Sequence, residues 1–187
     1  MTTSTIHPSK TTTTWTLDPA HTLVEFAAKH LMITTVKGRF TDVSGTIHTD
    51  ETDPAASSVE AVIKAASIDT RTDQRDAHLK SADFLEVERF PEITFRSTKV
   101  ERVGDAHYRV TGDLTIHGVT KPVVLDVSDE GRTKDPWGGE RAGFSATTRI
   151  DRRDFGLTWN QVVESGGVLV SNEIRITLEV EATKSAA

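Results

Sequence analysis

Residues 70–97 read TRTDQRDAHLKSADFLEVERFPEITFRS. This is the one stretch whose pattern reads as helix, and long runs that read as strand stand on both sides of it. Thr70 and Asp73 have capping-box spacing, and Ser81 is placed to open a second short turn ahead of Phe84 and Leu85. Pro91 ends the segment. Proline disfavours helical backbone at the residue before it, so Phe90 is pushed to an extended conformation and the chain leaves as a strand. Beyond it Ile93, Phe95 and Ser97 face one way, and Thr94, Arg96 and Thr98 the other. The expectation is a short helical insert near residues 72–86 in an otherwise all-β chain, plugging one end of the sheet and covering exposed edges.

Upstream, Trp15 to Asp18 reads as an opening strand that Pro19 turns. In the run from Thr22 to His30, Val24, Phe26, Ala28 and His30 share one face. Val36 to Phe40 and Val43 to Thr49 follow, each interrupted by one glycine, Gly38 and Gly45. Single glycines inside strands mark bulges or tight bends. Ser58 to Ser67 alternates again, with Val59, Ala61, Ile63 and Ala65 on one side. Downstream, Gly104-Asp105 reads as a hairpin turn. Tyr108, Val110, Gly112, Leu114 and Ile116 then form one row, and Gly118 turns the chain. Val123, Leu125 and Val127 make the next row. A Gly-rich loop is expected over residues 131–140, with Pro136 and Trp137 near its tip. Ala142, Phe144, Ala146, Thr148 and Ile150 alternate with polar neighbours. Residues 153–159 read as irregular and 160–171 as a loop, with Ser-Gly-Gly at 165–167. The last strand carries Ile174, Ile176, Leu178 and Val180 on one face.

This gives about eight strands, each with one apolar face, joined mostly by short turns and with almost no helix to cover them. Such a sheet buries its apolar face against another sheet or against itself. Closure into a barrel also removes the edges, and about eight strands enclose room for one small or elongated ligand. Alternation alone leaves barrel and sandwich open. The inward rows carry small residues, including Ala28, Ala61, Ala65, Gly112 and Ala146, which leave space beside Phe26, Phe95 and Phe144.

Composition fits one globular domain of 187 residues, 36% hydrophobic and 27% charged. A net charge of -6 argues against a nucleic-acid partner, which selects a basic face. The chain has no cysteine, which excludes disulfides and thiol chemistry. The first residues, MTTSTIHPSKTTTT, lack the apolar core of a signal peptide. They read as a disordered tail over 1–14 on a cytoplasmic protein, ahead of a single domain over 15–183 and a short tail over 184–187.

The seven histidines form neither H-x-H nor HExxH, and no carboxylate stands at a recognised ligand spacing, so no metal site is expected. No nucleophile elbow or phosphate-cradling glycine loop is present. Asp126 and Glu179 alternate with the apolar rows and face outward, so no catalytic residue is assigned. Arg71, Arg75, Lys80, Arg149, Arg152 and Arg153 read first as a solvated face, with an Arg–Asp pair pinning the strand exit near Asp154. His30 is kept as a group that meets a polar head at a tunnel mouth.

Several blocks in order resemble the YceI-like family. These are WTLDPAHTLVEFAAKHLMITTVKGRF from Trp15, RDAHLKSADFLEVERFPEITFRS from Arg75, GDLTIHGVTKPVVLDV from Gly112, IDRRDFGLTW from Ile150 and VSNEIRITLEVEA from Val170. The resemblance implies an antiparallel eight-stranded lipocalin-like β-barrel with a long apolar tunnel that holds a prenyl chain, as in an isoprenoid quinone, or another long aliphatic lipid. It also implies a homodimer. The tunnel wall is then expected from Val24, Phe26, Ala28, His30, Phe40 and Ile63 in the first half of the chain. Phe95, Leu114, Ile116, Phe144, Ala146 and Trp159 complete it. The implied partner is a small-molecule lipid, with transient membrane contact and no other cofactor. The function expected is to sequester or carry that lipid without chemistry. The alternatives are a barrel enzyme acting on a lipid-like substrate through His30 or His117, and a non-binding dimeric stress-response module.

Overall fold

The computed structural model describes residues 12–164 and 166–186. The tail read over 1–14 therefore lies outside the described residues up to residue 11, as do Ser165 and Ala187. Among the described residues, eleven strands join one antiparallel sheet. They are β1 (Thr12–Leu17), β2 (Leu23–His30), β3 (Thr34–Phe40), β4 (Val43–Asp50), β5 (Ser58–Lys64) and β6 (Ile68–Asp69). After the single α-helix among them, α1 (Asp73–Lys80), come β7 (Glu92–Arg102), β8 (His107–Ile116), β9 (Val119–Lys134), β10 (Glu140–Asp151) and β11 (Glu173–Lys184).

Strands β1, β4, β5, β7, β8, β9, β10 and β11 follow one another around a ring, and β11 returns to β1 to close it. This is a closed eight-stranded barrel, the fold expected from the sequence. The larger strand count has a simple cause. β1 and β2 are two pieces of one barrel strand, since β11 pairs with β2 through Arg175–Glu179 and with β1 through Ala182–Lys184. Pro19–His21 form a 3-10 turn at the break. β3 passes into β4 across Thr41 and Asp42, and β5 into β6 across the 3-10 turn Ala65–Ser67.

Register carries the inward rows from strand to strand. Tyr108 pairs with Val127, Val127 with Ala146, Ala146 with Leu178, Leu178 with Val24, and Val24 with Phe40. Because side chains alternate with period two, this one register fixes which face of all six strands points inside. A second row runs Gly45, Ala61, Phe95, Leu114.

Two local expectations are corrected. β9 continues to Lys134 and β10 begins at Glu140, so the loop expected over 131–140 shrinks to a turn at 135–139. Gly131, at φ 102°, lies within the strand beside a register shift at Gly143/Phe144. The glycine serves a bulge and not a loop. β1 begins at Thr12 and β11 ends at Lys184, and the Ser185 amide donates to the Thr14 carbonyl at 2.9 Å. The Ile116–Val119 connection matches expectation: His117 and Gly118 take φ 53° and 71°, the left-handed pair of a tight hairpin.

The insert also differs in its cap. α1 starts after Thr72, and the Thr70 hydroxyl and amide instead donate to Asp76 Oδ1, at 2.5 and 2.9 Å. Arg75 closes this knot by donating to the Thr70 carbonyl at 2.7 Å. The helix itself buries no residue. Phe84, Leu85 and Val87, in the turns after it, are buried, and Leu85 and Val87 pack with Ile93, Ile116 and Phe155 across one end of the barrel.

Candidate functional site: the barrel interior

Two cavities occupy the barrel and share Ile47, Val59, Leu125, Leu178 and Val180 in their walls, so they abut. The inner cavity, about 270 Å³, runs toward the insert. Val24, Phe26, Ala28, Phe40, Ile63, Phe95, Leu114 and Ile116 all line it. Leu79, Phe84 and Leu85 contribute from the insert side. The outer cavity, about 430 Å³, reaches the opposite end, where β7 turns into β8. Phe144 and Ala146 line it, and its rim carries Asp50, Arg102, Tyr108, Asp129 and Arg132.

Two expected residues line neither cavity. Trp159 lies after the chain has left β10 and packs against the insert. Its ring meets His78 edge-on at 4.6 Å and Phe84 at 5.2 Å. Leu157, two residues earlier, takes the inward position. His30 ends β2, where the chain bridges to Val170, and its ring makes no hydrogen bond among the described residues. His117 sits in its turn with Nε2 3.4 Å from Glu86 Oε2 and its ring against Phe90.

The outer rim is polar, but its charges have neighbours of their own. Arg132 donates to Asp129 at 2.6 Å, and its guanidinium stacks over the Trp15 and Phe144 rings at 5.2 and 4.9 Å. The cation thus covers two aromatic faces while keeping one charge partner. Arg102 donates to the carbonyls of Gly104 and Asp105 in the adjacent turn. Asp50, 2% exposed, accepts from Thr52 and Asp53.

Arg152, expected on a solvated face, is buried at 2% exposure. Its guanidinium donates to the carbonyls of Ser171, Leu157 and Trp159 at 3.0, 2.7 and 2.9 Å. It holds both ends of the 157–171 segment against β10, and desolvation pushes its pKa below the ordinary arginine value. The ion pair expected at Asp154 is formed by Asp151 with Arg153. That hydrogen bond lowers the Asp151 carboxyl to about 2.

Among the described residues, Asp18, His21 and Glu181 are the group whose ligand-type atoms converge, within 4.8 Å of one another. His21 Nδ1 lies 2.9 Å from Asp18 Oδ2. Arg141 occupies the same ground, donating to Asp18 at 2.8 Å and Glu181 at 2.5 Å. A guanidinium already on both carboxylates makes this an ion-pair clamp at the β1–β2 break.

The signals for the missed wall residues were present in part. Tyr108 and Val127 stand in rows the alternation exposes, and continuing the β9 row past Val127 leads to Asp129. Leu79, Phe84 and Leu85 carry no period that points them into a barrel. Their place depends on the fold of the insert.

A closed antiparallel barrel with an apolar bore and a plugged end defines a lipocalin-like architecture. The model of the YceI-like domain matches residues 15–182, and the chain belongs to that family. It is 41% identical over 164 residues to a UPF0312 protein of Pseudomonas putida, covering 88% of this chain and 82% of the relative. The YCEI protein of Campylobacter jejuni superposes with a TM-score of 0.73 at 36% identity, covering 84% of this chain and 90% of that one. A polyisoprenoid binding domain from Saccharophagus degradans shares the fold, with a TM-score of 0.63 at 16% identity, covering 91% and 98%.

Proposed function

We propose that this protein binds a long-chain isoprenoid or similar amphiphilic lipid in its barrel, sequestering it and carrying it without chemical change. The observation that carries this reading is the pair of abutting cavities within one closed barrel. Protein interiors are ordinarily packed as densely as organic crystals. An interior that leaves about 270 Å³ between its apolar walls departs from that density. An apolar occupant gains about 0.8 kcal/mol per buried CH₂. The polyisoprenoid binding of the Saccharophagus degradans domain supports the ligand class. The polar rim at the outer end favours a tail-first orientation, with the chain toward the insert and the head group near Tyr108 and Arg132.

The direct test is organic extraction of the freshly purified protein with mass spectrometry of the extract, followed by titration with prenyl lipids. Stoichiometric recovery or saturable binding is expected. Ala146→Trp, which fills the outer cavity, is expected to lower affinity at least tenfold while the circular dichroism spectrum is retained. Unchanged affinity in that folded variant would remove the tunnel assignment.

A further inference from the structure

The β2–β3 turn holds three consecutive apolar residues out in solvent: Leu31, Met32 and Ile33 are 38%, 56% and 77% exposed. Leu31 and Met32 take φ 51° and 62°. Such left-handed turn positions ordinarily carry Gly, Asn or Asp, and bulky apolar residues there are outliers. Neither local backbone preference nor core packing accounts for these side chains. Val162, 81% exposed, extends the patch. The Leu31 amide donates to the Leu169 carbonyl, and the Leu169 amide to the Gln161 carbonyl, each at 2.9 Å. The turn and the 160–170 segment therefore form one surface.

Two further observations identify what this surface meets. It is continuous with the barrel interior, because Ala28 and Val170 line the inner cavity and His30 bridges directly to Val170. It also has two cations beside it, set against one exposed carboxylate, Glu164, in the 160–170 segment. Lys29 and Arg175 are exposed on the outer wall, with Arg175 opposite Ala27 in register, and neither pairs with a carboxylate among the described residues. This runs against a chain whose net charge is -6. An apolar tip with a basic collar matches the interface of an anionic bilayer, where apolar side chains enter the acyl boundary and cations meet lipid phosphates. A protein partner is disfavoured, since four side chains fall well short of the roughly 800 Å² per side that a stable interface buries.

We propose that the Leu31–Ile33 turn, with Val162 beside it, is a membrane-insertion tip that docks the insert end of the barrel on an anionic phospholipid surface. The docking itself does not rest on the tunnel reading above.

The test is flotation of the full chain with phosphatidylcholine vesicles and with vesicles that also contain phosphatidylglycerol. Binding is expected to the second kind and to weaken with salt. The double variant Met32→Asp/Ile33→Asp is expected to lower vesicle partition at least tenfold. Lys29→Glu/Arg175→Glu is expected to lower it about fivefold per residue. All four positions are exposed, so circular dichroism and thermal melting are expected to match the wild type. Binding of a detergent-dispersed prenyl lipid by the same variants is expected to be unchanged. Absence of that binding in every form, with vesicle partition intact, would overturn the tunnel reading and leave the docking tip standing. The proposal is overturned if the wild type floats with neither vesicle, or if the Met32/Ile33 variant partitions as the wild type does. It is also overturned if sedimentation shows the variant dissociating a dimer with no vesicle binding, since a second copy of the chain would then be the occupant.

Discussion

Arg141 and Asp18 stand 123 positions apart in the chain, and the Arg141 guanidinium donates to the Asp18 carboxylate at 2.8 Å. Arg141 also reaches Asp135 at 3.0 Å and Glu181 at 2.5 Å. One side chain on β10 thus ties the break between β1 and β2 to the β9–β10 turn and to β11. Replacing it by methionine keeps its length but leaves three carboxylates facing one another. Arg141→Met is expected to lower the melting temperature by several degrees. Arg141→Lys, which keeps the charge and loses the fork geometry, is expected to recover only part of the loss.

The same clamp makes stability depend on acid. His21 and then Arg141 hold the Asp18 carboxyl at about 2, against an ordinary value of 3.8. A depressed carboxylate contributes stability that is fully present above its unfolded pKa and is lost as pH falls through the folded one. The loss is therefore expected between about pH 4 and pH 2, on the order of 1 kcal/mol from Asp18 once solvent screening is allowed for. Asp151, also held at about 2, titrates in the same window. Urea denaturation at stepped pH checks this, and Asp18→Asn is expected to flatten part of the slope.

Arg152 gives the largest expected stability effect. Arg152→Met removes the donors of three loop carbonyls in a buried setting. The expected cost is about 3 kcal/mol, read from the denaturant midpoint. Hydrogen exchange should rise first at Leu157 and Ser171, because those are the ends the guanidinium holds.

Two glycines should separate stability from binding. A Cβ at Gly112 would sit 2.4 Å from Phe95 Cζ and 2.6 Å from the Arg96 carbonyl oxygen, and that backbone has nowhere to go. A Cβ at Gly38 would meet Phe26 Cζ at 2.4 Å and the Thr70 methyl at 2.8 Å. There the ring can swing, and its free side is the inner cavity. Gly112→Ala is expected to cost about 2 kcal/mol. Gly38→Ala is expected to cost less but to weaken prenyl-lipid affinity more, as measured by titration.

Much of the barrel was legible because its strands alternate strictly. The rows through Val24, Leu114, Ala146 and Leu178 follow from period two alone, and they supply most of the cavity wall. What stayed hidden depended on contacts between distant segments. Gly131 reads as loop because a bulge glycine and a turn glycine look alike in sequence. The Leu31–Met32 turn falls between the strand readings that stop at His30 and resume at Val36, and neither residue signals its left-handed backbone. Thr70 was assigned to a cap because its partner Asp76 becomes visible only when the knot with Arg75 is formed. Trp159 was placed inside on the strength of its block, but the chain turns at Gly156, φ 76°, and Leu157 takes that place.

The ring closes between its first strand and its last, with β1 against β11 and Ser185 bonded back to Thr14. That arrangement has a consequence for synthesis. Until Glu173–Lys184 of β11 has left the ribosome, β10 and β1 both present open edges, and no amount of local folding can satisfy them. Closure must wait for a contact spanning nearly the whole chain, which places this protein among slow, topology-limited folders. Truncation within β11 should accordingly yield an aggregating chain and not a smaller barrel. Joining the two ends by a short linker, with new termini opened elsewhere, should speed folding by making the slowest contact a local one.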